Sequence, residues 1–392
     1  MRDTCLFGRL VLCVMNILID IRSLTEPQRT GVGEYTFELL NALFQIDREN
    51  QYYLFYNSYH DVSSMVPKWS QANVHVVATR WPNKLLHTFI SFRLVVLDTF
   101  VQKAVKRNLK FEILNLDVWF SPNITFSTIS KKTKHILTIH DLSFEHFPEC
   151  FSWKRRLWHW FLNPRKQCER ADIILTPSES TKRDVIETYS TPEEKVVCAY
   201  PGMVKRDAGS EMQEVVEKYA LPEKYILFVG TIEPRKNILG LIEAFKTSSL
   251  FFTHYSLLIV GKKGWKCESI LDAIDATPNV RYLGYVEESE KQVLYTRASL
   301  FVYPSLYEGF GFPVLEALSH GVPVVTSNRS SLPEIVGDHA YLVNPNDVAD
   351  IRRGMEDVLG HEKIAHASDA GIEHFLWEKT AQQFLSLYEN RH

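Results

Sequence analysis

The chain has 392 residues, with 44 Lys and Arg against 47 Asp and Glu, 45% apolar residues and 17 each of Gly and Pro. These figures exclude a disulfide mini-domain, a collagen-like or disordered chain and a protein that coats nucleic acid, and the length suits two domains that each bury a core. The formal charge of −3 conceals an asymmetry: residues 1–200 carry 25 basic and 21 acidic side chains, residues 201–392 carry 19 and 26, and residues 101–170 alone carry 13 basic against 6 acidic.

At the start, the apolar run Leu10 to Ile19 is broken by Asn16 and is too short to cross a bilayer as a helix. With Arg2 and Arg9 it has the outline of a secretory signal, but no small-residue cleavage site follows. The expected reading is therefore an appendage before Met15 and a first core strand over 16–20. Apolar β-runs then alternate with helical patterns, the signature of parallel sheets with crossover helices. The first series of strands is expected at 16–20, 52–56, 74–78, 117–121, 135–139, 172–176 and 195–199. Its first helix is expected over Tyr35 to Phe44. Tyr200-Pro201-Gly202 and the polar stretch to Ser210 read as a linker. The second series is expected at 225–230, 256–261, 280–284, 299–303, 323–327 and 340–343, followed by a helix from Trp377. This gives three segments: a first domain 1–202, a second domain 203–376 and a tail helix 377–392. The six cysteines, Cys5, Cys13, Cys150, Cys168, Cys198 and Cys267, form no C-x-x-C pair. They fit reduced thiols in a cytoplasmic protein, free or at the inner face of its membrane, and offer no metal site.

In doubly wound sheets ligands bind beyond the carboxyl ends of the strands, so the chemistry is sought there. The strongest pattern is Tyr303-Pro304-Ser305-Leu306-Tyr307-Glu308-Gly309-Phe310-Gly311-Phe312-Pro313-Val314-Leu315-Glu316. A strand ends in a turn with two glycines, and a helix opens at Pro313. Gly309 and Gly311 let backbone N–H groups approach a ligand, and the helix N-terminus favours phosphate. Glu308 suits sugar hydroxyls or positive charge at an anomeric carbon, and Glu316 suits a ribose diol. After the first strand of the second series comes Gly230-Thr231-Ile232-Glu233-Pro234-Arg235-Lys236-Asn237. Its adjacent cations suit a diphosphate, because a helix start disfavours bare positive charge unless an anion joins it. Gly31 and Gly33 follow the first strand, and His140-Asp141 follows another. His140 fits contact with a substrate hydroxyl or proton transfer, and equally a structural histidine held by its neighbours.

These elements, in this order, resemble the retaining glycosyltransferases of family 4. GVGEYTFELLNAL, TIHDL, RADIILTPSESTKRDV, YILFVGTIEPRKN, LFVYPSLYEGFGFPVLEAL and SSLPEIVGD carry the resemblance, which runs from about Met15 to the end. It implies an α/β protein of GT-B architecture: two doubly wound, Rossmann-like domains facing a central cleft, with a C-terminal helix crossing back. By the same resemblance Glu308 meets the donor sugar, the backbone of Gly309, Phe310 and Gly311 meets sugar and phosphate, and Glu316 meets the ribose. Arg235 and Lys236 hold the diphosphate, Gly31 and Gly33 border its other side, His140 lies against the sugar ring, and Tyr285 and Val286 border the nucleobase. Some members carry Arg where this chain has Thr231, so here the cationic pair Arg235 and Lys236 stands alone. The GTIEPRKN form is similar to that of mannosyltransferases of surface-polysaccharide assembly, which points to GDP-mannose as donor and a UDP-hexose as the alternative.

The partners implied are a nucleotide-sugar and a glycan or lipid-linked acceptor, with no nucleic acid. No D-x-D triplet occurs, so no metal or other cofactor is expected, and the cations would stabilise the leaving diphosphate. Retention by front-face attack follows from the resemblance, with Glu308 positioning the sugar and not acting as nucleophile. For the acceptor side, Trp153 to Leu162 interleaves basic and aromatic residues, and Lys103, Lys106, Arg107 and Lys110 form a second basic stripe. Such a face suits peripheral contact with anionic lipid; the alternative is a helix that buries Trp158 and Leu162 and solvates its charges. A dinucleotide oxidoreductase would need Gly or Ala where Thr36 follows Gly31 and Gly33. A sugar-nucleotide epimerase gives no reason for the Glu308 and Glu316 pair, a phosphorylase would need a cofactor lysine that no motif supplies, and a non-catalytic sugar-nucleotide binder would differ only in showing no turnover.

Overall fold

The computed structural model describes residues 14–26, 28–109, 115–204, 212–248, 254–360 and 374–389. Cys5, Cys13, the N-terminal arginines, Lys110 and most of the expected linker lie outside the described residues. Among the described residues thirteen parallel strands form two sheets. The first has the order β3-β2-β1-β4-β5-β6-β7 and the second β10-β9-β8-β11-β12-β13. Their ranges are β1 Asn16–Asp20, β2 Gln51–Asn57, β3 Val74–Thr79, β4 Val118–Ser121, β5 Lys134–Thr138, β6 Ile173–Thr176 and β7 Val196–Cys198. In the second sheet they are β8 Tyr225–Val229, β9 Ser256–Val260, β10 Val280–Gly284, β11 Leu300–Tyr303, β12 Val324–Ser327 and β13 Tyr341–Val343. Every expected strand is present, because crossover helices cover both faces of a parallel sheet and leave its strands as unbroken apolar runs. In both sheets the strand order reverses beside the first strand of the series, β1 or β8, so the loops that follow it and its neighbour meet at one edge.

Residue contacts divide the described chain into two compact units. One comprises the residues up to Leu137 with Arg170–Asp172 and Tyr388; the other comprises Thr138–Glu169 and Ile173–Leu387. In the first unit Leu18, Phe55, Val101 and Trp119 belong to one apolar core. Asp20, at the carboxyl end of β1, is buried and receives Arg22 Nε at 2.9 Å and Thr125 Oγ1 at 3.1 Å. His135 on β5 is fully buried; desolvation draws its pKa down to about 4, so it is neutral at pH 7 while its Nε2 lies 3.0 Å from Ser121 Oγ. The first helix runs over Gly31–Ile46 and so begins four residues before the expected Tyr35. Thr30 supplies the reason: its hydroxyl accepts the Gly33 N–H, and a capped first turn offsets the poor helix propensity of two glycines.

In the second unit β8 to β13 and their helices enclose a continuous core that includes Phe228, Leu258, Phe301, Val325 and Met355. The tail helix Trp377–Glu389 leaves this sheet and returns to the end of the first series. Thr380 Oγ1 donates to Tyr200 O at 2.6 Å and Gln383 Nε2 to Cys198 O at 2.7 Å. Gly202 permits the approach, since a Cβ there would lie 2.0 Å from Trp377 N and 2.6 Å from its Cα. Both are backbone atoms that cannot turn aside. Gly202→Ala is therefore expected to lower Tm by about 4 °C or more, read by thermal unfolding, through the overpacking it forces. An unchanged Tm would show that the tail does not depend on this contact.

Candidate active site

The loop after β8 does not lead directly into a helix. Pro234–Lys236 forms a single 3-10 turn, Asn237 takes φ +55°, and the helix Ile238–Lys246 starts only then. Arg235 and Lys236 thus lie in the strand-to-helix turn, just ahead of the helix itself. Their turn is tied to the loop after the neighbouring strand β11. Leu306 N donates to Arg235 O at 2.9 Å, and Asn237 Nδ2 donates to Pro304 O at 3.2 Å and Pro345 O at 2.7 Å.

Between the two loops lies a buried charge cluster. Arg235 donates to Glu233 Oε1 at 2.7 Å, to Glu308 Oε2 at 3.0 Å and to Tyr307 O. Lys236 Nζ donates to Glu308 Oε1 at 2.6 Å and to the Tyr303 hydroxyl at 2.6 Å. All four charged residues are at least nine-tenths buried. Glu233 and Glu308 supply the anions that bare cations require. Burial pushes the Glu308 carboxyl up, but Arg235 and Lys236 outweigh it and hold the pKa at about 2. Burial, opposed by Glu308 and Glu233, leaves Arg235 charged well above its ordinary value. Two polar atoms of the cluster, Glu233 Oε2 and Arg235 Nε, are buried without a hydrogen-bond partner.

The turn that carries Glu308 is pinned from three sides. Glu308 N donates to Ser330 Oγ at 2.8 Å, while Ser331 Oγ donates to Glu308 O at 3.0 Å and to Phe310 O at 2.7 Å. Gly309 O accepts from Ser178 Oγ at 2.7 Å and Thr181 Oγ1 at 3.2 Å. A Cβ on Gly309 would lie 1.9 Å from His140 O. The side of Gly309 where a Cβ would stand admits the His140 backbone, and His140 is brought beside Glu308's turn. Tyr307 reinforces the junction, donating to Asp184 Oδ2 at 2.5 Å and accepting from Leu142 N at 3.3 Å. Gly311, with φ +117°, caps the helix Phe312–Ser319, and Phe310 is buried with Leu315, Ile335 and Phe375.

Glu316 lies one turn into that helix with both carboxylate oxygens engaged, by Lys291 Nζ at 2.9 Å and the Tyr295 hydroxyl at 2.8 Å. Against burial, Glu316 and Glu288 keep the Lys291 ammonium above its usual pKa. Tyr285 is exposed, with Lys262 Nζ 5.0 Å from its ring centre, whereas the Val286 side chain is in the core, so only its backbone is available to a ligand. Gly31 and Gly33 belong to the other unit, in the first turn of its first helix. Among the described residues no group of three or more His, Cys, Asp or Glu could hold a metal ion.

The sequence matches the family described as "Glycosyltransferase Family 4" over residues 29–204 and "Glycosyl transferases group 1" over residues 211–372. It is 31% identical over 385 residues to O-antigen chain mannosyltransferase B of Escherichia coli, covering 93% of this chain and 98% of that protein. The chain belongs to the family 4 glycosyltransferases. This glycosyltransferase is also 34% identical over 238 residues to serotype-specific mannosyltransferase WbdA of Escherichia coli, an alignment of 57% of this chain and 29% of that longer protein. A solved sucrose-phosphate synthase from Thermosynechococcus elongatus has the same fold, with a TM-score of 0.69 at 18% identity, covering 95% of this chain and 98% of that one. The architecture is GT-B.

The structure also brings to these turns residues to which sequence reasoning gave no role. Glu233 and Tyr303 lie inside the two motifs, and a glutamate two residues before an arginine was the available signal. Asp184, Ser178, Lys291 and Tyr295 reach the site from distant positions that no spacing rule connects. Because Glu308 has a folded pKa of about 2 against 4.5 ordinarily, its stabilising effect is complete above pH 4.5 and lost as pH falls through 2. Glu308→Gln, which leaves two buried cations short of a partner, is expected to destabilise the protein by about 3 kcal/mol at pH 7. Denaturant titrations should show the gap to wild type closing between pH 4.5 and 2. A gap independent of pH would contradict the ion cluster.

Proposed function

We propose that this glycosyltransferase transfers mannose from GDP-mannose, with retention of configuration, to a glycan or lipid-linked sugar in cell-surface polysaccharide assembly. The observation that carries the chemistry is the buried Arg235 and Lys236 pair held on Glu308. In this reading the donor diphosphate takes over the two cations, and Glu308, released from them, turns its oxygens to the hydroxyls of the sugar. The leaving diphosphate is then neutralised by Arg235 and Lys236, without a metal ion, in a site that excludes water. The anomeric C–O bond to phosphate breaks, the acceptor oxygen bonds to the same face of that carbon, and the acceptor proton passes to a phosphate oxygen. In this reading Glu308 positions the sugar and acts electrostatically, and it forms no covalent intermediate. Glu316 receives the ribose diol, keeping its orientation from Lys291 and Tyr295. Mannose is supported by the activity named for the Escherichia coli relative that aligns over nearly its whole length.

A panel of GDP- and UDP-sugars in thermal-shift and transfer assays tests the reading. GDP-mannose is expected to raise Tm and to be turned over, and Lys236→Ala and Glu308→Ala to lower turnover by about a hundredfold or more. A shift with a UDP-hexose and none with GDP-mannose would replace the donor; full activity in both variants would remove the site.

A further inference from the structure

The helix Trp153–Leu162 has its apolar face turned outward. It is capped by Ser152, whose Oγ accepts Arg155 N, and closed by Asn163 at φ +48°. At 100° per residue, Arg155, His159 and Leu162 share one side. That side is docked on the protein: Leu162 is buried, His159 stacks on Phe144 with ring centres 4.3 Å apart, and Arg155 lies 3.9 Å over the Trp265 ring. The opposite arc, about 100° wide, holds Trp153, Leu157, Trp160 and Phe161 at spacings i, i+4, i+7 and i+8. These four are 68%, 45%, 71% and 57% exposed, and Trp158 beside them is 46% exposed. The alternative in which Trp158 is buried is thus corrected. Exposed Lys154 and Arg156 border the apolar arc on either side, Lys166 follows in the next helix, and no acidic residue occurs between Glu149 and Glu169.

A soluble protein scatters single apolar residues on its surface; a contiguous stripe with tryptophans and a cationic border marks a binding face. We infer that this helix is an interfacial anchor that inserts its Trp153, Leu157, Trp160 and Phe161 side chains into an anionic lipid surface. Charge complementarity selects this occupant: lysine and arginine heads on both edges reach phosphate groups while indole and phenyl rings enter the acyl boundary. The absence of acidic residues in the segment removes the repulsion such a surface would otherwise meet. The inference depends on the proposed lipid-linked acceptor only for its use to the enzyme, since the anchor is a property of the helix.

Co-sedimentation with vesicles of phosphatidylglycerol and phosphatidylethanolamine, and of phosphatidylcholine alone, tests it, alongside sedimentation velocity and turnover of the donor with a water-soluble acceptor. Wild type is expected to bind the anionic vesicles in 50 mM salt and several-fold less in 500 mM salt, about the range over which screening becomes short. Trp160→Ser with Phe161→Ser is expected to lower the bound fraction about tenfold while Tm and soluble turnover stay at wild-type values. Equal vesicle binding by the variant, or binding to neither vesicle by wild type, would overturn the anchor. So would a dimer that the double substitution dissociates without any vesicle binding. Loss of soluble turnover in wild type would count against the proposed transfer reaction and leave the anchor standing.

Discussion

Four buried charges between two neighbouring loops hold this site in its shape. Isolated, Arg235 or Lys236 could not be buried to this degree, because removing an ion from water costs several kcal/mol. Glu233 and Glu308 offset that cost, and they do so in a directional way: Glu308 gives one oxygen to each cation, while Glu233 holds the far side of the guanidinium. The loop after β8 and the loop after β11 are thereby fastened to each other. The sheet order makes the fastening available, since β8 and β11 are hydrogen-bonded neighbours whose carboxyl ends open on the same edge.

The rest of the site is built around that fastening by close backbone approaches. Gly309 takes the His140 carbonyl where any side chain would collide, and its own carbonyl is held by Ser178 and Thr181. Tyr307 extends the junction to Asp184, and Ser330 and Ser331 fix the peptide groups on either side of Glu308. Glu316 has an analogous arrangement on a smaller scale, a carboxylate aimed by a lysine and a tyrosine. Both glutamates of the motif are therefore held by residues distant in sequence.

The strands were legible because burial on both faces writes them as apolar runs, and the positions of Arg235, Lys236, Glu308 and Glu316 were legible because Gly and Pro mark the turns beside them. Their partnerships were not. Spacing gives no sign that Glu308 reaches across to Lys236, a contact between residues 72 apart, so the sequence reading gave the cations to a diphosphate and the glutamate to a sugar. The start of the first helix was placed too late because two glycines weaken propensity, whereas the Thr30 cap outweighs them. For Trp153 to Leu162, composition allowed either a buried or an outward apolar face; only the packing of His159 and Leu162 decides which side is docked.

If Glu308 occupies the cations that a donor diphosphate must take, carboxylate and diphosphate compete for the same charge. Calorimetric titration of GDP into wild type, Lys236→Met and Glu308→Gln measures this directly, because GDP carries the diphosphate without the sugar. Lys236→Met is expected to weaken GDP binding by about tenfold or more, and Glu308→Gln to leave it unchanged or tighten it. Loss of GDP affinity in Glu308→Gln as large as that in Lys236→Met would contradict the exchange of Glu308 for the donor diphosphate.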